Sequence, residues 1–596
     1  MRCSVTTNRQ IGYLMRPAHP SKSIVAKKGE EWSAVRRLFL ATVLLWCAIP
    51  LSPQTVDSDF WGHVQYGQDS WKFGVADTAS YTYTAPDHRW INHENLAELI
   101  FAGCVSWHTT SLLALKCVLG CAVLTLGIWQ ARQQSVGVII IAVVCVVSAI
   151  NLSFYWGVRP QVFSFTYFGL LIAWTEWCFS DWGQHWPTAW SRWQGKKSTT
   201  LPITRLRGLW LVPLLLLIWA NTHGGFLAGT AVFAVIMASR SFQYATSGGP
   251  RRIRVVSLLL TVGFVSSIAT LANPYGWDLH AWLIKSLGVP RPEILEWRQP
   301  DLIALNQITV WLLCGLTVWG LVASKRPRDY THLIVMALVT FEYLKHQRHL
   351  PFLVMLFLFW MPPHLQSAAT RLRRIRTPAL EFSEPLLRPF VAVLLGLCCL
   401  LAYRVGTRLT GIPVRQDEYP VAALQYTVDQ SLNGNMVVSG HWAQYVLGVR
   451  GARTPTDDGF RVAFDGRFRT CYPQAVVDQH FDFFLGDGGP DKRYRSPTSP
   501  PYDPKTVLTF GRPDFVLHRQ YDPQATRVMH SVHTEWCLLY QDELAQLWGR
   551  RSTFDDPRSP KYVPPADRQL NGGHQSGIVP FPAAPIEPPK SYHRGV

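Results

Sequence analysis

The feature that most constrains this chain is a series of long apolar runs between residues 38 and 403, separated by polar connections. About eleven runs can be counted, at 38–53, 110–129, 136–151, 161–179, 208–222, 224–239, 255–272, 308–323, 331–345, 349–362 and 387–403. Backbone groups in lipid must satisfy one another, so such runs are expected to form membrane-spanning helices. Several runs are short for a span, near the lower end of ~17–25 residues. The sequence therefore predicts an α-helical polytopic membrane protein with about eleven transmembrane helices.

Basic residues indicate which side each connection faces. Clusters of Lys and Arg lie in the connections around residues 196–207, 240–254, 325–328 and 371–376. If the N-terminus is cytoplasmic and eleven spans alternate, all four clusters face the cytoplasm, as the positive-inside rule requires. The net charge of +18 then serves to keep these connections on the cytoplasmic side of the membrane. The sequence has no nucleic-acid-binding motif, so we do not expect a nucleic-acid partner. We expect a cytoplasmic basic leader at 1–35, a transmembrane domain at 36–403 and a first external loop at 54–109.

The chain after residue 404 has a different pattern. Short β-like runs such as Met436-Val437-Val438 alternate with helix-like pieces, which favours an extracytoplasmic α/β domain over residues 404–551. Residues 552–596 are rich in proline and are expected to be disordered. Cys471 and Cys537 would lie in an oxidising compartment, so a disulfide and two free thiols are both open alternatives.

Polar and ionisable residues recur at the predicted outer ends of the spans. They are Asp57, Asp59, His63, His93, Glu94, Arg159, His223, Glu296 and Arg348. Ionisable groups at membrane depth are costly, by roughly 2.5–3.5 kcal/mol for Arg or Asp on insertion scales, and often mark functional sites. Each also has a plainer interpretation. The aspartates can be ordinary loop residues, Glu94 can favour a helix start, and the arginines can be interface anchors.

The chemistry that these residue types can carry is specific. Two carboxylates one residue apart, Asp57 and Asp59, can act as a general base or hold a divalent cation through oxygen ligands. The guanidinium groups of Arg159 and Arg348 suit a phosphate. No other cofactor is indicated by the sequence. Because all of these groups are predicted on one side of the membrane, we expect them to share one site.

Several of these motifs together resemble the GT-C superfamily of integral-membrane glycosyltransferases, and more narrowly a bacterial group of related membrane proteins. The resemblance covers roughly residues 36–545. It is carried by Asp57-Ser58-Asp59-Phe60-Trp61-Gly62-His63, Trp90-Ile91-Asn92-His93-Glu94, Arg159-Pro160-Gln161, Trp219-Ala220-Asn221-Thr222-His223-Gly224-Gly225, Asn273-Pro274-Tyr275-Gly276-Trp277 and Glu296-Trp297. The chain departs from the pattern at Gly62, where the group often has a second Trp.

The resemblance implies a multi-pass protein of the bacterial inner membrane that uses a polyprenyl-phosphate-linked sugar donor and an acceptor, of unknown identity, on the outer side. It implies that Asp59, or as second choice Asp57, deprotonates the acceptor hydroxyl. The supporting residues would be His63, His93, Glu94 and His223. Arg159 and Arg348 would hold the lipid phosphate, and the reaction would invert the anomeric carbon. The resemblance does not fix whether the reaction needs a metal ion. A bound divalent cation would be held by Asp57 and Asp59.

Two other classes of function fit the same features. A transporter or flippase for a lipid-linked or anionic substrate would also need broken helices with Gly and Pro at polar sites. A non-catalytic membrane scaffold would use the external domain to bind partners at the cell surface. Formation of a glycoside distinguishes the transferase from both alternatives.

Overall fold

The computed structural model describes residues 22–55, 57–180, 182–185, 201–247, 251–372 and 384–586. The helices of its first part are α1 Lys22–Ala48, α2 Phe60–Phe73, α3 Asn95–Trp107, α4 Thr110–Gln133, α5 Val138–Ser153, α6 Gln161–Cys178, α7 Val212–Ala220, α8 Phe226–Ser247, α9 Arg252–Ala269, α10 Trp277–Leu287, α11 Ile308–Ala323, α12 Tyr330–Lys345, α13 Leu350–Trp360, α14 Pro362–Leu372 and α15 Glu384–Arg408. Short 3-10 helices lie at Trp182–His185, Thr204–Leu211, Leu295–Trp297, Leu305–Gln307 and Gln347–His349.

Four described helices are long and apolar enough to cross a membrane, namely α4, α8, α9 and the Leu386–Arg408 part of α15. A fifth span is possible by length and composition if Gln347–Trp360 and Pro362–Leu372, bent by 59° at their junction, act together. Shorter apolar helices include α3, α5 and α11, and α5 has only 16 residues. A membrane-embedded helical protein is therefore confirmed in its coarse form, while eleven spans remain a prediction because many of the expected runs form short helices.

The helix α13 forms the centre of the helical part. Each of its eleven residues is buried, from Leu350 to Trp360. It packs against α4, α5, α6 and α12. A helix that is apolar on every face is expected to lie inside a bundle rather than at its surface. This central helix follows the 3-10 turn that carries Arg348, so its burial fixes the position of that residue.

The C-terminal part is an α/β unit, as expected. Its strands are β1 Pro413–Arg415, β2 Gly434–Val438, β3 Phe460–Val462, β4 Phe515–Arg519, β5 Trp536–Gln541, β6 Ala545–Arg550 and β7 Ile578–Pro580, with helices α16 Val421–Asp429, α17 Gly440–Arg450, α18 Gln474–Phe484, α19 Pro523–Ser531 and α20 Arg551–Phe554. Further 3-10 helices lie at Phe468–Thr470, Thr506–Leu508 and Pro565–Asp567. Five strands form one sheet in the order β3-β2-β4-β6-β5. The strand β2 is parallel to both neighbours, and β6 is antiparallel to β4 and β5.

The helix α2 joins the two parts of the molecule, because it packs against both α3 and α17. Its Trp61 is almost fully buried, with ring centroids 4.6 Å from Tyr419 and 5.1 Å from Tyr445. The Trp61 Nε1–H donates to the Pro582 carbonyl at 2.9 Å. The loop residues just before α2 are therefore held against the C-terminal unit.

The structure differs from the expectation of a disordered segment beginning at residue 552. Within the described part of that segment, which ends at residue 586, β7 pairs antiparallel with β1. Phe581 packs against Phe60 and Trp61, with ring centroids 4.8 Å and 5.5 Å apart. These aromatic contacts provide the burial that a proline-rich composition alone does not indicate. Residues 587–596, and residues 1–21 of the expected leader, lie outside the described residues.

Gly62 is the position at which the chain departs from the pattern of the group that it resembles. Because it has no side chain, α2 can approach α17 closely. A Cβ added at Gly62 would overlap the side-chain amide of Gln444. Gln444 is buried and its Oε1 accepts a hydrogen bond from the Tyr66 hydroxyl at 3.0 Å. Any larger side chain at position 62 would displace this amide.

We expect Gly62→Ala to lower the free energy of unfolding by about 1–3 kcal/mol, as is usual when a methyl group is forced into a packed interior. The measurement is thermal unfolding of the detergent-solubilised protein. Gly103→Ala is the matched control, since Gly103 lies in α3 and a Cβ there meets no atom within 4 Å. That control should be neutral or slightly stabilising. Equal destabilisation by both variants would contradict the packing argument.

Candidate active site

Three carboxylates from distant parts of the chain meet at one guanidinium group. Arg159, immediately before α6, forms ion pairs with Asp57 through Nη2 and with Glu296 through Nη1. Asp59 Oδ2 lies 3.9 Å from the same Nη2 atom. The Asp59 backbone N–H donates to Asp57 Oδ1 at 3.0 Å, which folds the loop so that both aspartates lie near Arg159. The structure therefore brings Asp57, Asp59 and Arg159 together.

The carboxyl group of Asp59 lies beneath the C-terminal unit. A Cβ added at Gly466 would overlap Asp59 Oδ1, so the backbone of the Asp465–Arg467 turn covers this oxygen. The turn is held by a buried ion pair, in which Arg467 Nη2 donates to Asp465 Oδ2 at 2.7 Å. The Tyr472 hydroxyl donates to the same Asp465 oxygen at 2.6 Å. The turn thus covers one oxygen of Asp59, while the side chain as a whole stays 33% exposed.

This environment changes the acidity of Asp59. Burial raises its pKa, the negative charge of Asp57 raises it further, and the positive charge of Arg159 lowers it, with a net rise to about 7. A carboxylate with a pKa near 7 can accept a proton from a substrate hydroxyl at neutral pH far better than an ordinary aspartate can.

A second cluster lies one helical turn along α2. His63 Nδ1 is 3.1 Å from Glu98 Oε1 and 4.0 Å from Glu94 Oε2. Asn92 Nδ2 donates to Glu98 Oε2 at 2.7 Å and orients this nearly fully buried carboxylate. The ligand atoms of His63, Glu94 and Glu98 all lie within 4.8 Å of one another, close enough for one metal ion. A nitrogen and two carboxylate oxygens suit a Zn²⁺-like ion.

This cluster is a second candidate metal site, and the one expected at Asp57 and Asp59 stays a prediction. At Asp57 and Asp59, the guanidinium of Arg159 already provides the positive charge, and the described residues that can surround a metal ion are His63, Glu94 and Glu98. Sequence reasoning missed Glu98. The available signal was its spacing of four residues from Glu94, which brings two side chains to one face of a helix.

The histidine at position 223 positions Glu94. Its Nδ1 accepts a hydrogen bond from the Gly225 N–H at 2.9 Å and lies 2.7 Å from Ser164 Oγ, which itself accepts from Trp219 Nε1 at 2.7 Å. With Nδ1 acting as the acceptor, the proton of a neutral imidazole is on Nε2, 3.4 Å from Glu94 Oε1. Burial lowers the pKa of His223 to about 3, so the ring stays neutral.

The carboxylate of Glu94 is therefore surrounded by imidazole rings. His93 Nε2 lies 3.8 Å from Glu94 Oε1, on the same oxygen that faces His223. Burial raises the pKa of Glu94, but the neighbouring His93 and His63 outweigh this effect and the pKa falls below its ordinary value. The four residues expected to support the site, His63, His93, Glu94 and His223, do meet in one cluster.

The charge on His63 gives a pH dependence of stability. Burial lowers the pKa of His63, but the hydrogen bond with Glu98 and the charges of Glu94, Glu98 and Asp59 outweigh it and raise the pKa to about 9. A raised folded-state pKa stabilises the fold below the unfolded value near 6.5, and the contribution is lost as pH rises toward 9. We expect the metal-free wild type to lose up to roughly 3 kcal/mol between pH 6.5 and 9.5.

Thermal unfolding at a series of pH values, with a chelator present, measures this loss. His63→Gln removes this titrating group, so its loss of stability over the same interval should be smaller than that of the wild type by the contribution of His63. His108→Gln is a control, because His108 is exposed and lies outside the cluster. A wild-type curve without a slope above pH 7 would show that His63 is not a cation in the fold.

The second arginine assigned to phosphate binding lies against an aromatic ring. The Cζ atom of Arg348 is 4.5 Å from the centroid of Trp297, and the Cζ atom of Arg291 is 4.3 Å from it. Arg159 is held by Asp57 and Glu296, so its charge is already compensated. Arg348 and Arg291 instead lie against Trp297, and no motif around Arg291 indicated its position from the sequence.

A cavity of about 380 Å³ opens beside His93. Its lining is mainly apolar and includes Leu96, Leu217 and Leu279, with polar groups from Asn92 and Tyr275. The Tyr275 hydroxyl also accepts a hydrogen bond from the Asn92 backbone N–H at 3.0 Å. The cavity offers an apolar space directly next to the charged cluster.

The two cysteines of the C-terminal unit are not joined. Cys471 and Cys537 are both buried as free thiols. Cys537 Sγ donates to the Gly549 carbonyl within the sheet at 3.5 Å. Of the two alternatives left open by the sequence, the structure has the free thiols.

No family model matches this chain, and no curated protein matches it. Among solved structures it is similar to the oligosaccharyltransferase of Archaeoglobus fulgidus in the apo form, with 9% identity, 81% of this chain and 69% of that chain covered, and a TM-score of 0.46. It is also similar to ArnT from Cupriavidus metallidurans bound to undecaprenyl phosphate, with 12% identity, 89% and 99% covered, and a TM-score of 0.46.

The likeness is remote, with identities of 9–12% and TM-scores below 0.5.

Proposed function

We propose that this chain is a GT-C-type membrane glycosyltransferase, which moves a sugar from a polyprenyl-phosphate-linked donor to a hydroxyl group on the extracytoplasmic side. The observation that carries the proposal is the environment of Asp59. Its carboxyl group is partly covered by the Gly466 turn and lies near the Arg159 guanidinium, and its pKa is raised to about 7. These are the requirements for a general base that works at neutral pH.

In the proposed reaction, the acceptor oxygen attacks the anomeric carbon while its proton passes to Asp59. The bond between the anomeric carbon and the phosphate oxygen breaks, and the lipid phosphate leaves with the bonding electrons. A single displacement of this kind inverts the anomeric configuration. Asp57 is the weaker candidate for the base, because its carboxylate forms an ion pair with Arg159.

Arg348 and Arg291 are proposed to stabilise the negative charge of the departing phosphate. Both guanidinium groups lie against Trp297, next to the residue Glu296 that binds Arg159. A planar guanidinium can form two parallel hydrogen bonds with a phosphate. The apolar cavity beside His93 is proposed to receive part of the lipid or the acceptor.

The residues His63, Glu94 and Glu98 fit a divalent cation, because one nitrogen and two carboxylate oxygens converge there. A cation held by these residues would supply positive charge next to the acceptor side of the site. Glu98 and Asn92 would fix the geometry of that group through their hydrogen bond.

The same proposal includes sidedness, with a cytoplasmic N-terminus, the α/β unit at 404–551 outside and residence in the bacterial inner membrane. Right-side-out membrane vesicles provide the test. A mixture of polyprenyl-phosphate sugars is supplied in the membrane, and water-soluble acceptors are supplied outside. Formation of a new glycoside outside the vesicles supports the proposal, whereas appearance of the unaltered donor in the other leaflet would favour transport.

A further inference from the structure

Asp57, Asp59 and Glu296 form a three-carboxylate group around the guanidinium of Arg159. The two aspartates belong to the loop before α2, and Glu296 belongs to the 3-10 helix Leu295–Trp297, 137 residues after Arg159. Only a fold that brings these three segments together can produce the arrangement. All four side chains are partly buried, with 23% of Arg159 and 24–33% of the carboxylate side chains exposed.

The arrangement has the oxygen donors that a divalent metal ion prefers, but the carboxylates are spread around a planar guanidinium and do not converge as closely as His63, Glu94 and Glu98. Three convergent carboxylates are the ligands that Mg²⁺ or Ca²⁺ uses in proteins. Here each terminal nitrogen of Arg159 faces a different side, with Nη2 toward Asp57 and Asp59 and Nη1 toward Glu296. Gln161 Nε2 donates to the second oxygen of Glu296 at 3.5 Å and completes its environment.

We propose that Arg159 is a built-in cation that replaces a divalent metal ion in this three-carboxylate group. Arg159 is therefore a positioning residue, which holds the Asp57–Asp59 loop against Glu296. A covalently attached cation does not dissociate, so the loop keeps its geometry at any metal concentration. This inference uses only the charge geometry and does not depend on the transferase activity.

The proposal predicts that removing the guanidinium uncovers a latent metal site. We expect Arg159→Gln to have a lower thermal midpoint than the wild type in a chelator, because three carboxylates then repel one another. Addition of Mn²⁺ should raise the midpoint of Arg159→Gln by roughly 2–4 °C, and more than it raises that of the wild type. Unfolding of the solubilised full-length protein, with and without MnCl₂, is the measurement.

Two variants make the result specific. Arg159→Gln/Glu296→Gln removes one of the three ligands and should lose most of the added response to Mn²⁺. Arg89→Gln is the matched control, because Arg89 forms an ion pair with the single carboxylate of Asp278 at 2.7 Å in an exposed position. Loss of that cation should create no response beyond that of the wild type.

A response of Arg159→Gln no larger than that of the wild type would overturn the proposal. An equal response of Arg159→Gln and the double variant would overturn it too. If Arg159→Gln does not accumulate in membranes, the double variant, which removes the cation and one acid together, should accumulate to a higher level. Failure of both, even with Mn²⁺ in the medium, would show that charge compensation is not the role of Arg159. None of these results requires sugar transfer, so they remain separate from the fate of the proposed function.

Discussion

Replacement of Asp59 by Asn is expected to lower sugar transfer by about 10²–10⁴-fold, the usual contribution of a positioned general base. An amide has nearly the same shape as the carboxylate but cannot accept the acceptor proton. Because the wild-type pKa is raised to about 7, the active unprotonated form increases as pH rises through 7. The wild-type rate should therefore rise with pH, with an apparent pKa near 7, and level off above it. The residual rate of Asp59→Asn should not show this rise.

The assay compares initial rates in membranes from pH 5.5 to 8.5 with a polyprenyl-phosphate sugar donor. Asp278→Asn is the matched control, because Asp278 is about half exposed and paired with Arg89 away from the Arg159 group. Its rate and pH profile should equal those of the wild type. Robust transfer by Asp59→Asn at the wild-type rate would remove Asp59 as the base and would leave the proposed mechanism without support.

Replacement of Trp61 by Ala is expected to have the largest effect on stability, a loss of about 3–5 kcal/mol in the free energy of unfolding. The ring is only 1% exposed and packs between Tyr419, Tyr445 and Phe581. The substitution leaves a large cavity and deprives the Pro582 carbonyl of its hydrogen-bond donor. Since these partners all belong to the C-terminal unit, the contact between that unit and α2 should weaken first.

Limited proteolysis and thermal unfolding measure this effect. In Trp61→Ala, cleavage between residues 404 and 586 should become much faster at a temperature where the wild type is resistant. Trp71→Ala is the control on the same helix, because Trp71 is 68% exposed. Equal protease resistance of the two variants would contradict the assigned role of Trp61.

The sequence predicted the parts of the site that have a recognisable local pattern. Asp57, Asp59, His93 and Glu94 stand in short motifs beside apolar runs, and runs with few charges made the membrane class clear. The α/β character of the C-terminal part followed from alternating strand-like and helix-like segments. Such signals are local, so a single sequence is enough to detect them.

The parts that could not be predicted depend on contacts between distant segments. Nothing near Glu296 or Arg159 indicates that they form an ion pair, because the pairing is a property of the tertiary fold. The order of the segment after residue 552 likewise depends on Phe581 finding Phe60 and Trp61. The number of spans does not follow from composition, because helices such as α5 are slightly shorter than the length needed to cross the membrane.

The contact between the Trp61 indole and Pro582, 521 residues apart, has a consequence for biosynthesis. The ribosome delivers Trp61 521 residues before Pro582, so the segment that closes over the indole emerges much later than the loop with Asp57 and Asp59. During translation, the Trp61 indole therefore lacks its contacts with Phe581 and Pro582 until those residues have been synthesised. A polypeptide whose translation ends before residue 581 would expose the Trp61 side chain, and cellular proteases and chaperones can recognise such an exposed apolar surface.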